Sequence, residues 1–155
     1  MADYRIVSLS EVPHHLETVA RWSNAEWGAS LGYSLRETTG WFRGMLENPD
    51  EDCVVAVSGD DVLGMTCLVD HDLESRPDLR HWIASVFVVP ERRGKGIASA
   101  MIRAAERHAA GRGFPLLYLY TRGVEELYEK LGWKITEHFT LDGDRFALMI
   151  KQPAR

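Results

Sequence analysis

Only two cysteines, Cys53 and Cys67, occur in 155 residues, and no apolar run is long enough to span a bilayer. A disulfide framework and a membrane-spanning segment are therefore not expected. Basic residues are also few: 18 Lys and Arg against 23 Asp and Glu give a formal net charge of −5 and a pI near 5.7. General nucleic-acid binders and anionic-membrane binders carry a basic surface field, so neither class of partner fits. The first residues include Asp3, Arg5 and Glu11 and lack the continuous apolar stretch of a secretory signal. Two cysteines and no export signal predict reduced thiols and a cytoplasmic location. There is no internal repeat, linker or low-complexity segment. With 45% hydrophobic and 26% charged residues, the chain suits one globular domain over residues 1–155.

Hydrophobic spacing then orders the elements. Tyr4 to Ser8 reads as a short strand, and Pro13 suits the first turn of a helix running to about Glu26. Ser34 followed by Glu37 forms a capping box for a helix to Glu47, which Asn48-Pro49-Asp50 stops. Cys53 to Ser58 and Val62 to Asp70 read as a hairpin around a three-residue turn, Gly59-Asp60-Asp61, which sets the two cysteines opposite each other. A loop from His71 to Arg80 leads into a buried strand, Trp82 to Val89. Ile97, Met101, Ile102 and Ala105 recur at helical spacing up to Gly111. Leu116 to Tyr120 is a strand, and Val124, Leu127, Tyr128 and Leu131 line a short helix. Trp133 to Phe139 and Phe146 to Lys151 close the chain as strands. The order β, α, α, β, β, β, α, β, α, β, β predicts an α+β fold with a mixed sheet and helices packed on it.

The strand Val86 to Val89 runs into Pro90-Glu91-Arg92-Arg93-Gly94-Lys95-Gly96, which opens the third helix. Helix-start amides lack partners, the helix dipole is positive there, and glycine lets an anion approach the backbone. Three cations so close together, Arg92, Arg93 and Lys95, favour an anion among them. A solvated strand-to-helix connection accounts for the glycines equally well on backbone freedom alone. A Walker loop needs Gly, four residues, then Gly-Lys-Ser/Thr, which is absent. A dinucleotide fingerprint fails because Ser99 stands at the third glycine position.

Arg93-Gly94-Lys95-Gly96-Ile97-Ala98 resembles the Gln/Arg-x-x-Gly-x-Gly/Ala signature of the GNAT superfamily of acetyltransferases. Leu127-Tyr128-Glu129-Lys130-Leu131-Gly132-Trp133 is similar to that family's second signature, a helix ending Tyr-x-x-x-Gly-Phe/Tyr/Trp. The resemblance implies a mostly antiparallel mixed sheet of about seven strands with about four flanking helices. It implies acetyl-CoA as donor; Asp70-His71-Asp72 with His81 has no closed ligand spacing, so no metal is expected. The pantetheine arm would lie like an extra strand on backbone groups of Val86 and Val88. The pyrophosphate would sit on amides of Gly94, Lys95, Gly96, Ala98 and Ser99, with Arg93 at its edge. Thr121 stands where many members carry a cofactor-contacting asparagine, and its hydroxyl supplies part of that contact.

For the transfer itself, the resemblance implies Val88 N–H as the oxyanion contact and Tyr128 as the acid, a phenol that keeps its proton at neutral pH. By spacing alone, Tyr128 is also a core residue of its helix. Many relatives carry a basic glutamate where this chain has His81-Trp82-Ile83, so the base candidates are His81, Asp70, Asp72, Glu26 or a water. Glu26, Trp27, Asp70, Asp72 and Trp82 are candidate acceptor contacts, and Trp22 and Trp41 further pocket walls. The implied activity is N-acetylation of a primary amine, on a small molecule or a peptide, and a homodimer is a candidate assembly because homodimers are common among members of the family. A non-catalytic acyl-CoA-binding module is the alternative, and Tyr128 argues against it.

Overall fold

The computed structural model describes residues 3–153. Strand β1 (Arg5–Ser8) is followed by two 3-10 turns, Leu9–Glu11 and Pro13–His15, and then by helix α1 (Leu16–Ser23). The first helix does not run smoothly to Glu26: Asn24–Gly28 widens into a π turn. Asn24 Nδ2 donates to the Tyr33 carbonyl and Thr38 Oγ1 at 3.0 and 3.2 Å, fastening the widened turn to the next segment. Helix α2 (Leu35–Glu47) starts as its capping box predicts, with reciprocal 3.0 Å bonds between Ser34 and Glu37.

Strands β2 (Asp52–Ser58) and β3 (Asp61–Val69) are apolar on both faces because both become covered. Their turn is tighter than expected: Ser58 pairs with Asp61 across Gly59-Asp60, and Gly59 takes a φ of +58°. Cys53 does face Cys67 in register, and both are buried and free. After β4 (Trp82–Val88), helix α3 (Ile97–Gly111) crosses to β5 (Leu117–Thr121). The short helix α4 (Glu125–Lys130) precedes β6 (Lys134–Leu141) and β7 (Asp144–Lys151). The last two strands run longer than their spacing suggested. Asp142-Gly143, with φ of +50° and +84°, makes the two-residue hairpin between them.

The seven strands form one sheet in the order β1-β2-β3-β4-β5-β7-β6. Its β4–β5 pair is parallel and the others are antiparallel, since α3 supplies the long crossover that a parallel pair needs. Side-chain alternation sorts the sheet into two faces. Val54, Ile83, Val88, Leu117, Leu119, Ala147 and Met149 pack with α3, Tyr128 and Trp133. On the other face, Cys53, Val55, Met65 and Cys67 pack with α1 and α2. That second cover stops short of β5, β7 and β6, where Leu73, Trp82 and Leu148 form a smaller cluster against Tyr118, Tyr120 and Phe139.

Gly64 lets α3 settle on β3: a Cβ there would stand 2.7 Å from the Phe87 carbonyl oxygen and 2.9 Å from Met101 Cε. Gly64→Ala is expected to lower stability by about 1–3 kcal/mol, as overpacking does, read from urea unfolding midpoints. An unchanged midpoint would show that the contact relaxes freely.

Candidate active site

Strands β4 and β5 meet at one register among the described residues, Trp82↔Tyr118, with Tyr118 N–H donating to the His81 carbonyl at 2.9 Å. Beyond it they part. The cause lies in β4, where Cys67 pairs with Ala84 but Met65 pairs with Phe87, so β4 carries an extra residue and Ser85 takes a φ of +56°. A bulge of this kind bends the strand that contains it. Val89 N–H donates to the Leu63 carbonyl at 2.9 Å, which makes Gly64↔Val88 a non-hydrogen-bonded pair. The N–H and C=O of Val88 therefore point away from β3 and into the gap. An extended ligand chain can satisfy such groups as an added strand would.

The glycine-rich turn closes one end of this gap. Gly94 and Gly96 have φ of +76° and +83°, and a Cβ on either would meet nothing within 4 Å, so torsion rather than crowding calls for glycine. Gly96 caps α3 without a side-chain acceptor, and the first helical bond runs from Ala100 N–H to the Gly96 carbonyl at 3.1 Å. The amides of Ile97, Ala98 and Ser99 consequently have no helical acceptors, and the dipole is positive there. The three cations divide. Arg92 binds both oxygens of Asp3 at 3.1 Å. Arg93 Nε donates to the Val88 carbonyl at 2.8 Å, and its guanidinium lies 5.5 Å from the Phe87 ring centre. Lys95 is exposed and forms no ion pair among the described residues.

Tyr128 stands on the α3 side of the sheet, 6% exposed, its ring edge-on to Trp133 at 6.4 Å. Burial pushes its phenol up to about 12. Thr121 ends β5, half-buried, paired with Ala147. On the opposite face Trp82 is fully buried, its indole N–H donating to the Leu79 carbonyl at 3.0 Å, so it floors the region. Tyr118 and Tyr120 flank it, with ring centres 5.5 and 6.2 Å away. Asp72, one residue before buried Leu73 in this cluster, keeps an open surface, yet the protein crowding round it desolvates the carboxyl and pushes it up to about 7. Tyr120 is pushed up to about 12 by burial and then by the Asp72 charge.

The remaining candidates lie elsewhere. His81 precedes the Trp82↔Tyr118 bridge, on its closed side, and stacks flat on Phe114 with ring centres 3.5 Å apart. Burial and then Arg80 push its pKa down, and its Nδ1 lies 3.3 Å from Asp70 Oδ1 without hydrogen-bond geometry. Asp70 is engaged by Arg80 at 2.9 Å, while its own N–H donates to Glu51 at the same distance. Glu26 and Trp27 are exposed on the π turn, and Trp41 is half-exposed against Tyr33. Trp22 is the member of the aromatic group that reaches the site strand, 5.0 Å from Phe87. Sequence reasoning passed over Ser85 and Tyr120. The alternation Leu117, Tyr118, Leu119, Tyr120 was a signal for the second, whereas a bulge leaves no residue signature at Ser85.

The fold is shared with known proteins. The chain resembles an aminoglycoside 6'-N-acetyltransferase solved with coenzyme A, at TM-score 0.78 and 18% identity, covering 97% of this chain and 98% of that one. It resembles yncA of Salmonella typhimurium, solved with its cofactor acetyl-CoA, at TM-score 0.76 and 14% identity over 99% and 95% of the two chains. A spermidine N-acetyltransferase chimera from Vibrio cholerae and hSSAT gives 0.73 and 17%, over 98% and 96%. No curated protein matches the chain by sequence. The Acetyltransferase (GNAT) family matches residues 16–133, most of the chain including both signature segments, and the protein belongs to that family.

Proposed function

We propose that this protein moves the acetyl group of acetyl-CoA to the primary amine of a small cationic molecule, by direct attack through a tetrahedral intermediate. One observation carries the reading: the unpaired edges of β4 and β5 lead straight to the amide-rich start of α3, so one ligand with an extended amide arm and a pyrophosphate satisfies both. Solved relatives that hold coenzyme A or acetyl-CoA support the donor. Aminoglycoside and spermidine acetyltransferases among the similar structures support a small polyamine-like acceptor.

In this reading the pantetheine arm pairs with Val86, its thioester end reaches the Val88 N–H, and the pyrophosphate takes the amides of Gly94, Lys95, Gly96, Ala98 and Ser99 together with the Lys95 ammonium. Arg93 serves mainly as a buckle on the Val88 carbonyl, and Thr121 contributes its hydroxyl from the end of β5. The acceptor enters from the face of Tyr120 and Asp72, where an aromatic surface and a carboxylate suit a cation. We assign the base to Asp72 rather than His81: a carboxyl at about 7 accepts a proton near neutral pH, and Asp72 is exposed next to Leu73 of the open cluster, whereas His81 is stacked on Phe114.

The amine lone pair attacks the thioester carbon as Asp72 takes its proton. The developing oxyanion accepts the Val88 N–H. Collapse breaks the C–S bond, and the thiolate takes the Tyr128 proton. A phenol at about 12 is a weaker acid than a free thiol at roughly 8.5, so in water this step runs uphill. Burial raises the thiol for the same reason that it raises the phenol, and the difference narrows in the closed site.

Three measurements check this. Tyr128→Phe should lower kcat about 100-fold or more in a thiol-release assay with polyamine or aminoglycoside acceptors; an unchanged kcat removes the acid. Gly96→Glu places a carboxylate on the pyrophosphate site and should abolish coenzyme A binding by calorimetry, whereas retained binding would move the cofactor elsewhere. The carboxylate form of Asp72 is the active one, so kcat/KM should rise with pH through an inflection near 7. Asp72→Asn should lose that inflection and keep the higher one of the acceptor amine; a profile of unchanged shape excludes Asp72 as the base.

A further inference from the structure

We infer that Glu106 is a positioning residue for acetyl transfer, holding the Tyr128 ring in place through Trp133; the inference rests on Tyr128 being the proton donor. Glu106 breaks a local rule. On α3 it occupies the stripe of Ile102, Ala105 and Ala109, all buried, and its own side chain is only 6% exposed. A carboxylate there costs solvation that an apolar residue would not, so its partners have to explain it.

Those partners converge on the end of α4. Glu106 Oε2 accepts the Trp133 indole N–H at 3.1 Å, and Oε1 lies 2.6 Å from Lys151 Nζ on β7. Lys151 Nζ also donates to the Leu131 carbonyl. Its Cε would lie 3.4 Å from a Cβ on Gly132, whose φ is +94°, so the lysine stem packs along this turn. Backbone N–H groups of Leu131 and Trp133 both donate to the Tyr128 carbonyl at 3.0 Å. The Trp133 ring then meets the Tyr128 ring at 76°.

Helix α4 has six residues, too few to hold its own geometry in water. The direction of the Tyr128 side chain therefore comes from whatever grips the turn that ends the helix. A buried ion pair adds little net stability compared with apolar packing, but it fixes direction: the indole N–H has one acceptor and the ammonium one carboxylate. Glu106, Lys151 and Trp133 form that grip from α3, β7 and the residue just before β6.

The test measures kcat and the acetyl-CoA KM for Glu106→Gln and Trp133→Phe, each alone and combined with Tyr128→Phe. Each single variant should lower kcat about 10-fold while KM stays within about twofold, the mark of a misplaced reacting group rather than a damaged cofactor site. In the Tyr128→Phe background neither should lower kcat further, because the group being held has lost its proton. Equal losses in both backgrounds overturn the inference, as does an unchanged kcat in the single variants. Trp133→Phe keeps an aromatic ring and the Glu106–Lys151 pair, so it tests the grip even where Glu106→Gln fails to fold. If Tyr128→Phe alone leaves kcat unchanged, the acid assignment falls and the grip falls with it. If Tyr128→Phe is slow but the other losses are additive, only the grip is wrong.

Discussion

Two parallel strands that share a single bridge and then diverge leave backbone donors and acceptors without partners, and the rest of the site is arranged around that gap. An unpaired buried backbone group costs about 1–3 kcal/mol, so the divergence has to be enforced. The extra residue at Ser85 enforces it from within β4, and the ladder to β3 holds β4 in place from its other side. Arg93 reduces the cost by taking the Val88 carbonyl, which leaves the Val88 N–H facing the gap. Phe87, between Trp22 and the Arg93 guanidinium, ties the same stretch to α1.

The gap also separates two chemical surroundings. Val86 and Val88 turn toward α3 and Tyr128, and Phe87 turns toward α1 and α2, because side chains alternate along β4 beyond the bulge. On the first side the phenol is dry and holds its proton tightly. On the second, α1 and α2 stop short of β5, and the loop carrying Asp72 and Leu73 covers part of what they leave. Two carboxylates illustrate how the fold handles charge. Glu106 is buried against a lysine and an indole, whereas Asp72 has no salt bridge among the described residues and its carboxyl is driven toward its neutral form by desolvation.

Most of the element order was legible from hydrophobic spacing and local stop signals. Ser34 and Glu37 announced α2, Gly111 ended α3, and Cys53 faces Cys67 as expected, though through a two-residue turn and a bulge at Ala56–Val57. The misses were local exceptions. The π turn at Asn24 depends on acceptors at Tyr33 and Thr38, which the helical spacing of its own residues does not reveal. The Asp142-Gly143 turn did carry its usual dipeptide, and the strands beside it run longer because that turn is so short.

For the site, the backbone parts were the legible ones. A glycine spacing that demands positive φ at Gly94 and Gly96 and opens a helix is a local property, and so is a tyrosine on the apolar face of a short helix. Side-chain roles were decided by contacts between distant segments. Arg92 reaches Asp3, Arg93 reaches Val88, His81 stacks on Phe114, and Glu106 meets Lys151 and Trp133. The family signatures, the order of elements and the amide-rich turn could be read along the chain, because each rests on the torsions and spacing of neighbouring residues. Which charges are paired, which carboxyl is pushed toward its neutral form and where the two strands part were set by the folded chain, because those depend on what it brings against each group.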